Sequence, residues 1–237
     1  MNVRNFAGAV LTLGCASLVC AAAKPGDLVT SGPPTGNKIA LTFDDGPGPN
    51  TEKFLALLDR YHVKATFFVL GDQVRVRPKV LKKTVERGHE IGNHTTQHLN
   101  YKARLKELKK ESPDTAVESA TKELVDDMKK SRETIETAIG KKLVYLRMPH
   151  GIDGPWIHAA AKEAGFVLVN WTYGFDWNSQ TAEEMIPGYV KSLRPGAIIL
   201  LHDGWPKSEK SLKIAEAVIK AAKEKKLEIV PVGELLK

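Results

Sequence analysis

Four short segments, far apart in the chain, carry residue types suited to metal-assisted hydrolysis. They are Asp44-Asp45 in Thr-Phe-Asp-Asp-Gly-Pro, His94 and His98 in His-Thr-Thr-Gln-His, Arg147 in Arg-Met-Pro-His-Gly, and His202 in Leu-Leu-His-Asp. His94 and His98 stand four residues apart, a spacing that on a helical turn aims both imidazoles at one ion. An oxygen from Asp45 would complete a His₂Asp set, and three protein ligands leave a position open for water, the mark of a catalytic site. Adjacent carboxylates repel each other. A metal ion would claim one of the pair, and the other, close to the ion, could take a proton from water. Packing alone also accounts for two histidines at this spacing, and a helix N-cap or a solvated turn before Gly46-Pro47 accounts for the aspartates. An aspartyl-phosphate phosphotransferase would carry D-x-D followed by Gly-Thr, where this chain has Asp-Asp-Gly-Pro. No H-E-x-x-H is present, which disfavours a zincin protease.

These residues need a scaffold that gathers them. Short apolar runs at 39–43, 65–70, 90–92, 143–147, 166–171, 197–201 and 228–230 read as strands. Amphipathic stretches near 51–61, 78–87, 115–139, 155–164, 183–193 and 210–225 read as helices between them. Pro78 and Pro155 suit a helix first turn, and Gly88, Gly140 and Gly165 suit the position just past a helix end. This alternation predicts a single α/β domain with a parallel sheet closed into a barrel, the alternative being an open doubly wound sheet. Asp44, Asp45, His94, Arg147, Asp176 and His202 fall at or just after predicted strand ends, the rim that carries the active site in parallel barrels. Neither G-x-G-x-x-G nor G-x-x-x-x-G-K-[ST] occurs, so nucleotide binding has no support. Residues 100–113, Lys-rich and weakly patterned, read as a polar loop or short helix without chemistry.

Residues 1–23 read as a secretory signal peptide, with Arg4, an uncharged apolar run over 6–19, and Ala21-Ala22-Ala23 as the cleavage site. The run is shorter than the ~20 residues of a membrane span. An uncleaved anchor, or a lipoprotein on Cys15 or Cys20, are the weaker readings. Both cysteines of the chain lie in this segment. From Lys24 onward no thiol remains for a disulfide, a nucleophile or a ligand, so His and carboxylates must hold any metal. Residues 24–37, rich in Gly, Pro, Ser and Thr, read as an extended lead-in to one domain over 38–237. The net charge is +7, and Arg4 supplies one unit of it. A basic protein exported to the periplasm, envelope or medium would associate with anionic envelope polymers. No arginine-rich stripe interleaved with aromatics suggests nucleic acid.

Taken together, Thr-Phe-Asp-Asp-Gly-Pro, H-T-x-x-H, R-x-P-H-G, Asp176-Trp177 and Leu-Leu-His resemble the five motifs of the polysaccharide deacetylases, the NodB-homology family 4 carbohydrate esterases. They occur in the family's order, from about Lys38 to the C-terminus. The resemblance implies a distorted (β/α)₇ barrel and metal-dependent removal of acetyl groups from a glycan. It implies Asp44 as general base, Asp45, His94 and His98 as ligands of one divalent metal, and Arg147 as the partner that keeps Asp44 ionised. Zinc is the expected ion, and cobalt, nickel or manganese also suit the set. Asp176 would orient His202, the general acid. Trp177 and Leu200 would wall the acetyl pocket, and the backbone N–H of His150 would help hold the oxyanion. His150 stands where the family has an aromatic such as Tyr, and Thr96-Gln97 replaces the common Trp-Ser, which puts the shape of the groove in doubt. Trp205, and with less reason Trp156, could stack on sugar rings. The expected substrate is an acetylated glycan, peptidoglycan first, then chitin oligomers, other amino-sugar polymers or acetylated xylan. The expected protein is a monomer with no stable membrane insertion once the leader is gone. A glycan-binding pseudoenzyme and a hydrolase of small amides or cyclic imides are the competing readings.

Overall fold

The computed structural model describes residues 23–206 and 208–237; the predicted signal peptide up to residue 22, and with it both cysteines, lies outside the described residues. Strands and helices alternate in the order β1 (Leu28–Val29), β2 (Lys38–Gly46), α1 (Thr51–Arg60), β3 (Thr66–Val69), α2 (Gly71–Val76), α3 (Pro78–Glu86), β4 (Glu90–Asn93), α4 (Tyr101–Glu111) and α5 (Ala116–Ile139). They continue with β5 (Tyr145–Leu146), α6 (Pro155–Ala164), β6 (Val167–Val169), α7 (Ala182–Ser192), β7 (Ile198–His202), α8 (Glu209–Glu224), β8 (Glu228–Val230) and α9 (Val232–Leu235). Every strand pairing is parallel, and the sheet runs β1-β6-β5-β4-β3-β2-β7. Among the described residues the strand ladder does not run unbroken around a ring. The gap between the β1–β6 edge and β7 is spanned by a bridge from Tyr173 to Ile199 and by the Gly32 N–H donating to the Gly196 carbonyl. The barrel is therefore distorted, as the family pattern implies. β8 pairs with the start of β2, below the stretch that β3 occupies.

The lead-in is part of this sheet. Leu28 and Val29 pair with Leu168 and Val169, so residues 24–37 supply an edge strand rather than a free extension. The segment 100–113 is a helix over most of its length, opened by the Asn100 side chain accepting from the Ala103 N–H. Only Tyr101 and Leu108 of α4 are buried, which is why its apolar pattern is faint. Elsewhere local signals and structure agree. Pro78 and Pro155 open α3 and α6, and Gly140 and Gly165 close α5 and α6 in left-handed conformation.

β2 is the strand that matters for function. Ile39, Leu41 and Phe43 belong to the large core between sheet and helices, whereas Ala40 packs with Phe68, Val169 and Ile198 in a second cluster inside the barrel. With a side-chain period of two, Thr42 and Asp44 follow Ala40 inward. The barrel interior is thus apolar at its floor and polar toward its C-terminal mouth.

Candidate active site

Asp44 and Asp45 cannot both face the cleft from a regular strand, because successive side chains alternate. The register against β3 jumps from Asp44–Phe68 to Gly46–Val69, leaving Asp45 as an extra residue with φ of 70°. This bulge re-aims one side chain and brings both carboxylates to one cavity. Gly46 is required beside it: a Cβ there would lie 2.6 Å from the Asp203 carboxylate.

His94 follows β4 directly, but His94 and His98 are not on a helical turn as their spacing predicts. The segment is a loop in which Thr95 and His98 have φ of 69° and 60°. The two rings still converge, with centroids 5.1 Å apart. Nε2 of His94 is 3.4 Å, and Nε2 of His98 3.5 Å, from Asp45 Oδ1. His94 Nδ1 sits 2.7 Å from the Arg147 carbonyl oxygen. A carbonyl only accepts, so Nδ1 carries the proton and Nε2 presents its lone pair. Burial, then the neighbouring His94, lowers the pKa of His98 against the pull of Asp45, favouring the neutral ligand form. Asp45 Oδ1 is buried and has no hydrogen-bond partner. An unpartnered carboxylate oxygen between two imidazole nitrogens is what a divalent cation would satisfy, and the N, N, O set fits one. Burial alone would raise the Asp45 carboxyl, but the facing imidazoles of His94, His202 and His98 hold it well below the usual carboxylate range.

Asp44 faces a different partner. Its Oδ1 accepts from Arg147 Nη1 at 2.8 Å, while Oδ2 lies 3.7 Å from His94 Nε2. Arg147 is fully buried and each of its three nitrogens donates: Nη1 also to Thr42 Oγ1, Nε to the Val169 carbonyl and Nη2 to the Asn170 carbonyl. Its guanidinium lies 4.2 Å over the Phe68 ring. Burial lowers its pKa and Asp44 opposes that shift.

The opposite wall is His202, the last residue of β7. Its Nδ1 donates to Asp176 Oδ1 at 2.7 Å, and its backbone N–H donates to Asp176 Oδ2, which also takes the Ser211 hydroxyl. Burial alone would favour neutral imidazole. The Asp176 hydrogen bond and the charges of Asp176, Asp44 and Asp45 outweigh it, so the His202 pKa is raised. Asp176 comes from the long loop after β6 rather than from a strand end.

A cavity of about 450 Å³ joins Asp44, Asp45, His94, His98, His150, Trp177, Leu200, His202 and Trp205. Arg147 and Asp176 stand behind its wall, touching Asp44 and His202. His150 occupies the Pro149–Gly151 turn with φ of 61°, its ring 4.6 Å from that of His98. Trp156 does not reach this cavity. It lines an adjoining one with Lys102 and Asp153, and His150 and Gly151 are common to both. His158 bonds the Gly26 carbonyl and Asp153, and His89 packs edge-on to Phe67, both away from this cavity.

Sequence reasoning missed Trp171 and Met148, which line the cavity, and Thr42 and Ser211, which hold Arg147 and Asp176. It also passed over Asp203, which is fully buried with Oδ1 unpartnered and Oδ2 bonded to the Thr51 hydroxyl. The signal for Asp203 was its place beside His202.

A parallel α/β barrel whose mouth carries such a cluster is a scaffold shared with known enzymes. Residues 31–169 match the polysaccharide deacetylase family, and the chain belongs to it. A peptidoglycan-N-acetylglucosamine deacetylase of Bacillus cereus is 32% identical over 219 residues, covering 90% of this chain and 95% of the relative. A chitooligosaccharide deacetylase of Bradyrhizobium is 33% identical over 174 residues, covering 72% of this chain and 73% of the relative. Among solved structures, a mutant of a CE4 family pseudoenzyme of Bacillus anthracis with restored activity superposes with a TM-score of 0.76 at 25% identity, covering 90% of this chain and 72% of that one. Among the described residues no helix is long and apolar enough to cross a membrane.

Proposed function

We propose that the chain is an exported, zinc-dependent deacetylase that removes N-acetyl groups from the amino sugars of peptidoglycan. In this reading residues 1–23 are a cleaved signal peptide and residues 38–237 the catalytic domain, with β1 of the lead-in completing its sheet. One observation carries the reading. An arginine-bound carboxylate and an Asp-bound histidine face each other across one cavity, beside a His₂Asp cluster with an unsatisfied oxygen.

Asp45, His94 and His98 would hold the zinc ion, which when bound would supply Lewis acidity to lower the pKa of water and polarise the acetyl carbonyl. Asp44 has one oxygen committed to Arg147 and the other bordering the ion site. The free oxygen takes the water proton as attack occurs. Arg147 cannot turn away, because four acceptors fix it, so Asp44 is kept paired and aimed. The backbone N–H of His150, on the turn that lines the cavity, would help hold the developing oxyanion. His202, protonated and held through Nδ1, gives a proton from Nε2 to the leaving amine. Trp177 and Leu200 bound the space for the acetyl methyl. The preference for peptidoglycan over chitin oligomers is supported by the Bacillus cereus relative, which matches nearly end to end, and by the basic charge of the chain.

The test is acetate release from purified peptidoglycan by the zinc-loaded protein, with chitin oligomers and a chelated sample alongside. Chelator-sensitive release from peptidoglycan is expected. Release from chitin oligomers alone would move the substrate. Zinc binding without release from either would leave a glycan-binding pseudoenzyme or another acetylated polymer as the reading to pursue.

A further inference from the structure

We infer that Trp205 is a positioning residue that holds both halves of the site. Its indole N–H would set which oxygen of Asp45 faces the two histidines, and its ring would fix the plane of His202. The Asp45 half needs only metal binding; the His202 half rests on the deacetylase reading.

Asp45 has little else to aim it. It is the extra residue of the β2 bulge, in left-handed conformation, so strand pairing does not orient its side chain. A carboxylate free to rotate could offer either oxygen, or both, to an ion. Trp205 Nε1 donates to Asp45 Oδ2 at 2.8 Å, which leaves Oδ1 as the oxygen between His94 and His98. Indole N–H is a donor only, so this assignment cannot invert. A hydrogen bond of this kind to a ligand typically changes metal affinity 10–100-fold.

The same ring lies flat on His202, with centroids 4.2 Å apart and planes 13° from parallel. Asp176 grips the imidazole by its Nδ1 edge and Trp205 covers a face, so the ring can neither flip nor tilt. An aromatic face also favours a cation placed over it, which is the form a general acid must hold. Gly204 makes the approach possible: a Cβ there would collide with the Asp45 backbone. The sugar-stacking role expected for Trp205 is thereby narrowed, since its N–H edge and one face are already engaged.

Two variants of the full chain separate the contacts. Trp205→Phe keeps a ring on His202 and loses the N–H, and Trp205→Leu loses both. Zinc dissociation constants, measured by competition with a chromophoric chelator without glycan, are expected to rise about tenfold in each. At saturating zinc, kcat should fall less than about threefold in Trp205→Phe and at least about tenfold in Trp205→Leu, with KM nearly constant, because what is lost acts in the transition state. Zinc affinity unchanged in both, with KM raised and kcat intact, would make Trp205 a sugar platform and overturn the proposal. If Trp205→Leu does not fold, the zinc affinity of Trp205→Phe decides alone. The zinc titration is independent of substrate. Acetate release by the wild type together with unaltered zinc affinity in Trp205→Phe sinks this inference and spares the deacetylase reading. Weakened zinc binding in a wild-type background that releases no acetate does the reverse.

Discussion

Asp176→Asn tests the proton-donor assignment at a single atom. In the native protein Asp176 Oδ1 accepts from His202 Nδ1, while Oδ2 accepts from the His202 backbone N–H and from Ser211. An asparagine keeps its one acceptor oxygen where two donors meet, at the Oδ2 position. Its NH₂ then faces His202 Nδ1. Two donors cannot pair, so the ring must turn Nδ1 into an acceptor and place its only proton on Nε2. Protonation of the ring, which requires Nδ1–H, now costs a hydrogen bond. A charge-assisted hydrogen bond contributes about 1.5–3 kcal/mol and a neutral one about 1, so the imidazolium loses roughly 1–2 kcal/mol of preference. That is about a tenfold fall in the protonated fraction wherever His202 is mostly neutral. The His202 pKa is raised in the native protein, and the acid must be protonated, so activity is present at low pH and lost as pH rises through that pKa. The variant should lose it at lower pH. The assay is the pH profile of kcat/KM on a soluble glycan at saturating zinc, with thermal unfolding to verify the fold. A uniform loss at every pH, with the alkaline limb in place, would refute the reasoning and assign the proton to another group.

Three further outcomes follow from the same geometry. Asp44→Asn should retain zinc in calorimetry, since His94, His98 and Asp45 are untouched, but lose about 10²–10⁴-fold in kcat as the proton acceptor disappears; near-native turnover would sink its role. Arg147→Ala leaves Asp44 buried without a cation and should lower stability by about 3–5 kcal/mol in urea unfolding, where a loss under about 1 kcal/mol would show the pair to be dispensable. Burial raises the Asp203 carboxyl from 3.8 to about 7, with the charges of Asp45 and Asp44 adding and the Thr51 hydrogen bond opposing. The folded state thus keeps a proton that the unfolded chain sheds, and stability should fall as pH rises from about 4 to about 7. In metal-free protein Asp203→Asn should therefore gain roughly 4 kcal/mol over wild type at pH 8 relative to pH 4, and equal differences at the two pH values would contradict the buried, protonated state.

The parts of this molecule legible in the sequence are those fixed by local chemistry. Apolar runs bounded by Gly and Pro marked most strands and helices, because each element buries its own face. The site residues were readable because His, Asp and Arg recur at strand ends, where a parallel barrel gathers them. What escaped depends on partners distant in sequence. Leu28 and Val29 form a strand only because Leu168 and Val169 offer an edge, and two residues carry no periodicity. The left-handed backbones of Asp45, Thr95, His98 and His150 could not be foreseen, since glycine is the usual occupant of such positions and none of these is glycine. The i, i+4 argument for His94 and His98 named two rings that do converge, but from a loop and not from a helical turn. The place of Asp203 beside His202 was legible, but its burial was not, because Thr51 and Gly46, far from it in the chain, impose it.

The adjacency of Asp44 and Asp45 now has a physical explanation. Two neighbouring carboxylates are tolerable only if their charges are met from different directions. Asp44 keeps the inward phase of β2 and meets Arg147, whose guanidinium ties β2 to the end of β6 across the barrel interior. Asp45 breaks that phase through the bulge and meets His94 and His98 at the mouth. The buried arginine stays charged because Asp44 and three uncharged acceptors replace its hydration. Structural and chemical roles are inseparable at Arg147, which has no exposed surface. They separate at His98, whose side chain is 29% exposed and which supports no buried network. The fold should therefore survive loss of His98 at the rim, but not loss of the Arg147 pair beneath it.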